Sequence, residues 1–106
     1  MMNKIALLND AFRNTFRGGK VMMTIGVAEL ADCVKAEALR QVAEFSEFTP
    51  ENDPHGEHDF GSFDLVGRKF FWKIDYYDSN MMFGSDDPSD SEKTTRVLTL
   101  MLAAEY

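Results

Sequence analysis

The stretch "FGSFDLVGRKFFWKIDYYD", Phe60 to Asp78, decides how the rest of the chain is read. Apolar and polar residues alternate on both sides of Gly67, the pattern of two antiparallel strands with one face buried. Gly67-Arg68 fits a two-residue turn with glycine in its first position. Counting outward from that turn sets Val66 against Lys69, Leu65 against Phe70 and Phe63 against Trp72. One face then carries Phe63, Leu65, Phe70, Trp72, Ile74 and Tyr76; the other carries Ser62, Asp64, Phe71, Lys73, Asp75 and Tyr77. The hairpin is expected over 59–66 and 69–77. A short strand at "NMMF", 80–83, follows a turn at Asp78-Ser79.

Working outward, Ile5, Leu8, Phe12 and Phe16 recur at helical spacing, so residues 4–17 read as an amphipathic helix begun by Asn3 and stopped by Gly18-Gly19. "KVMMTI", 20–25, has strand length and ends at Gly26. Leu30, Val34, Ala38, Val42 and Phe45 form a second helical stripe. Ser89 with Glu92 makes a capping-box signature, and a last helix over 91–104 would turn Val97, Leu98, Met101 and Leu102 inward. The expectation is one α+β domain, residues 1–106. A small antiparallel sheet, the hairpin plus one or two short strands, packs against three helices.

The chain has 106 residues, 44% of them hydrophobic and 12% aromatic, enough for a modest core. Its single cysteine, Cys33, rules out an internal disulfide framework and reads as a small apolar residue buried on a helix. The N-terminus lacks a secretory h-region and no apolar run reaches membrane-spanning length, so the expected location is cytoplasmic, away from membranes. Net charge is −7, concentrated in residues 44–92, where thirteen Asp/Glu face three Lys/Arg. That density repels nucleic acid directly but suits a basic protein surface. No G-x-S-x-G is present, "GGK" lacks P-loop spacing, and the basic residues form no aromatic-interleaved stripe.

Between the second helix and the hairpin lies "NDPHGEHDFG", 52–61, which holds both histidines of the chain. Three readings compete for it. His55 and His58 with Asp75 supply nitrogen and oxygen donors for a divalent metal, with Glu57 or Asp59 as general base of a hydrolase. Alternatively, the hairpin pairing brings His58, Asp75 and Tyr77 together as a hydrogen-bond network that anchors the loop. The third reading leaves chemistry aside: Glu51, Asp53, Asp86, Asp87 and Asp90 form an acidic surface that imitates a phosphate array and occupies the basic groove of a partner. The last two readings need no cofactor.

"LNDAFR", "NDPHGEHDFG", "FFWKIDYYD", "FGSDDP" and "TTRVLTLMLAAEY" together resemble the bacterial family named domain of unknown function 3768, from Leu8 to Tyr106. The matching signature residues are His55, Gly56, Glu57, His58, Asp59, Phe60, Gly61, Trp72, Asp75 and Asp78. The resemblance implies a small proteobacterial protein, often borne on plasmids or other mobile elements beside anti-restriction and transfer genes. It implies no activity and no catalytic residues. The combined expectation is a non-enzymatic accessory protein that binds another protein, a host-defence or DNA-handling complex in such a setting. A metal-dependent hydrolase and a homo-oligomeric structural subunit are the alternatives.

Overall fold

A computed structural model describes residues 3–106. Helix α1 (Lys4–Thr15) starts where the sequence supplies a cap: the Asn3 side chain accepts the Ile5 amide at 2.8 Å. Strand β1 (Gly19–Met23) follows, then the one-turn helix α2 (Ile25–Ala28), helix α3 (Asp32–Glu44), strands β2 (Phe60–Leu65), β3 (Arg68–Tyr77) and β4 (Thr95–Leu102), and a 3-10 turn, Ala103–Glu105. Three helices and a four-stranded sheet make this an α+β fold. The sheet order is β1-β4-β3-β2.

The expected last helix does not form, and that changes the sheet. Residues 95–102 are instead the central strand β4, antiparallel to β3 and parallel to β1. The sheet is therefore mixed rather than antiparallel. Val97, Leu98, Met101 and Leu102 fit a helical stripe, but Leu100 is buried as well, so the apolar run serves both faces of a strand with neighbours on either side. Thr95, Val97 and Thr99 are β-branched and favour the same outcome. Ser89 caps no helix; its hydroxyl and amide donate to the Asp87 carboxylate.

The hairpin forms with its turn one residue earlier than expected. Val66 and Gly67 occupy the turn with φ of 49° and 75°, both left-handed, as a type I′ turn requires. Leu65 consequently pairs with Arg68, Phe63 with Phe70 and Gly61 with Trp72. Each partner is displaced by two residues from the expected register. Side chains alternate with period two, so both faces keep their expected members. Asn80–Phe83 is a turn rather than a strand, and a single bridge joins Tyr77 to Gly84.

The core lies on the helical side of the sheet. Trp72, Phe70, Leu98 and Leu100 are fully buried against Phe12, Val27, Ala38 and Val42. Gly61 is needed opposite Trp72, because a Cβ there would lie within 2.7 Å of three indole atoms. Gly26 ends no strand. It sits in α2, and its amide, with the Thr24 hydroxyl, donates to Glu105 at 2.8 and 2.6 Å. Cys33 is exposed, on the outer side of the first turn of α3. Among the described residues, no helix is long and apolar enough to cross a membrane.

Candidate functional site

Loops 46–59 and 78–94 hang from the same end of the sheet, since the first enters β2 and the second connects β3 to β4. Beneath them, α1 contributes three polar side chains on consecutive turns. Asn9 and Arg13 are buried despite their polarity, and Asp10 is partly so. Buried polar groups must be paired, and the pairings of these three explain the geometry of the first loop.

Arg13 donates to the carbonyls of Val42 and Phe45, each at 2.7 Å, where α3 runs out of backbone partners. Its Nη2 meets Asp10 at 2.8 Å, while the buried Nε takes no hydrogen bond. The guanidinium also stands over the rings of Phe48 and Trp72, at 5.4 and 5.1 Å from their centroids. Asp10 in turn receives His58 Nδ1 at 3.0 Å to both oxygens. The His58 ring lies flat on Phe48, centroids 3.9 Å apart. Behind it, the buried Asp53 carboxylate accepts the backbone amides of Glu57 and His58 at 3.2 and 3.3 Å. Those bonds hold a backbone that passes through positive φ at Gly56 and His58.

Asn9 closes the other side. Its amide donates to the Glu57 carbonyl at 2.9 Å and to the Tyr76 hydroxyl at 2.8 Å, while Arg96 Nε donates to its oxygen at 2.6 Å. Tyr76 donates onward to the Glu57 carboxylate at 3.1 Å. Burial pushes the Tyr76 hydroxyl far above its ordinary pKa, so it remains a neutral donor. Burial likewise lowers Arg96, whose free nitrogen reaches the Pro88 carbonyl at 2.5 Å. Asn9 and Arg96 thus bridge the two loops.

His58 is held by Asp10 and Asp53, while Asp75 lies on the opposite face of the sheet, bound to Lys73 at 2.9 Å. His58 and Asp75 are not brought together, because β2 begins only at Phe60 and His58, with φ of 57°, leaves the strand line and turns to Asp10 of α1. Tyr77 does not join His58 either; its neighbour Tyr76 faces the loop. His55 is exposed. Among the described residues, no group of three His, Cys, Asp or Glu side chains is placed to hold a metal ion. Glu57 is engaged by Tyr76. Asp59 is half-buried, and burial, then the neighbouring Glu57 and Asp53, raises its pKa.

The acidic surface also divides. Asp53 does not belong to it, being buried under the loop. Asp87, exposed, and Asp90, partly so, each also bond their own chain, accepting the amides of Ser89 and Glu92 at 3.1 and 2.9 Å. Glu51 and Asp86 are exposed, as is Glu92. Asn9, Asp10, Arg13, Phe48, Tyr76 and Arg96 were not among the expected site residues. A signal for two of them is present in "LNDAFR": Asn9 and Arg13 are spaced i, i+4 and flank Phe12 on the stripe that faces the core.

The family described as protein of unknown function (DUF3768) matches residues 23–105, most of the chain. The chain belongs to the DUF3768 family. The match begins at the last residue of β1 and takes in the loop network apart from its α1 members. No curated protein and no solved structure matches this DUF3768 chain.

Proposed function

We propose that this DUF3768 protein is a non-enzymatic interaction protein whose acidic end engages a basic surface on another protein. The observation that carries the reading is the bridge from Glu57 through Asn9 and Arg96 to Pro88, which fastens both acidic loops to one end of the sheet. Exposed carboxylates on two loops fixed in this way act as one anionic field, which steers and orients a positively charged partner. A field of this kind imitates a phosphate array, so the partner class is a protein with a nucleic-acid-binding groove. In a plasmid or mobile-element setting, such a target would be a defence or DNA-handling complex. Direct binding of nucleic acid is disfavoured by the same charge.

No specific observation favours the hydrolase, since its proposed ligands His55, His58 and Asp75 are dispersed and its candidate base Glu57 is hydrogen-bonded to Tyr76. The test uses residues whose side chains make no hydrogen bond that the fold needs. Glu51→Lys/Asp86→Lys/Glu92→Lys should keep the melting temperature of the parent. It should lose a cross-linked partner that the parent captures and releases as salt is raised. Capture that survives the triple reversal contradicts the reading.

A further inference from the structure

The two loops explain one end of the molecule, but a second feature lies along the sheet's edge. Strand β2 pairs only with β3 and so has a free side. Opposed residues in an antiparallel pair alternate between hydrogen-bonded and non-bonded positions. The Ile74 amide donates to the Asp59 carbonyl at 2.8 Å, which fixes the phase: Gly61, Phe63 and Leu65 bond inward to β3. Phe60, Ser62 and Asp64 therefore direct their backbone N–H and C=O groups outward. Among the described residues, these groups take no other hydrogen bond.

Beside this edge opens a cleft of about 660 Å³, walled by the last turns of α3 and by β2. Phe45 and Phe63 give it an apolar floor, and Ser62 and Asp64 line it, so the unpaired backbone groups and the cleft coincide. Its charges are unequal. Arg40 is already bridged by Glu37 and Glu44, whereas Glu47 and Asp64 have no ion pair among the described residues. Among the described residues, Lys69 is the one unpaired cation on the lining; it stands opposite Asp64 in the β2–β3 pair, which leaves Glu47 as the carboxylate with no cation across from it.

We propose that the free edge of β2 and its cleft against α3 form a strand-addition site for an extended, lysine- or arginine-bearing segment of a partner protein. Backbone pairing to Ser62 and Asp64 holds the added strand. Alternate side chains of the strand reach Phe45 and Phe63 or stay near Glu47 and Asp64. The proposal rests on the reading that the partner is a basic protein and says which part of it docks, along β2 beside the start of the first loop.

The probe is an N-acetylated octapeptide of alternating lysine and valine, titrated into the ¹⁵N-labelled full chain. The expected result is saturable amide shifts within 60–65 and 40–47. Exchange of the Ser62 and Asp64 amides should slow about tenfold when the peptide stands at roughly ten times its dissociation constant. Ser62→Pro removes one outward N–H at a position where an edge strand tolerates proline, and should abolish those shifts. Glu47→Lys/Asp64→Lys leaves the backbone donors in place and should weaken binding, which covers the case of a proline variant that does not fold. An octapeptide of alternating glutamate and valine should give no shifts.

Shifts confined to 86–92 overturn the strand-addition site while leaving a basic partner for the loops. Absence of shifts, or unchanged binding by both variants, also overturns it. Loss of the acidic-loop reading shows separately, as partner capture that survives the triple reversal.

Discussion

Loops 46–59 and 78–94 are both rich in carboxylates, yet the fold uses them in opposite ways. In the first, Asp53 is buried beneath the backbone it organises, and His58 is fixed by Asp10 from a helix far away in sequence. In the second, Asp78, Asp87 and Asp90 accept amides two to four residues along their own chain, and Met82 and Phe83 stay exposed. Long-range bonds make a loop part of the core, whereas local ones give it a shape and leave its charge in solvent. Histidine and carboxylate density therefore marks a scaffold in one loop and a surface in the other.

The comparison breaks first at Arg13. Arg13→Ala strips the end of α3, leaves Asp10 without its cation and uncovers Phe48, and should cost about 3–5 kcal/mol. A denaturant titration reads this directly, and a cost close to that of an ordinary surface change would show that the first loop is not fixed through α1. Asp53→Ala comes next, at about 2 kcal/mol, because two part-buried amides lose a charged acceptor. Hydrogen exchange should localise the loss to Glu57 and His58.

Asp59 sharpens the comparison through pH. Burial together with Glu57 and Asp53 raises its pKa, so between the ordinary aspartate range and the raised value the folded protein holds a proton that the unfolded chain has released. Stability contributed by that proton is present below the ordinary aspartate range and is lost as pH rises through the raised value. Asp59→Asn should accordingly melt higher than the parent at neutral pH, and the difference should vanish in acid. A variant that melts lower at neutral pH would mean that the charged form is the stabilised one. The smallest effect belongs to the second loop: Asp87→Ala should leave the melting temperature unchanged and quicken amide exchange only near Ser89.

Much of this architecture is legible in the sequence. The hairpin's faces, the α1 cap at Asn3 and the stripe of α3 follow from periodicity and local chemistry. The hairpin register does not, because Val66-Gly67 and Gly67-Arg68 both supply a glycine to the turn, and only the first places it at the second turn position. β4 is opaque for a different reason: an apolar run buried on both faces carries no period that separates strand from helix. The network is hidden because its members come from four separate segments, α1, the loop, β3 and β4. Asn9 and Arg13 look like polar interruptions of a helix until their partners are known.

The central claim is that partner binding resides in the exposed carboxylates and not in the two histidines. The most direct measurement is cross-linked capture by three proteins side by side: the parent, Glu51→Lys/Asp86→Lys/Glu92→Lys, and His55→Ala/His58→Ala, all below their melting temperatures. The account predicts capture by the parent and by the histidine variant, and loss with the charge-reversed one. Capture that survives charge reversal but fails without the histidines would contradict it.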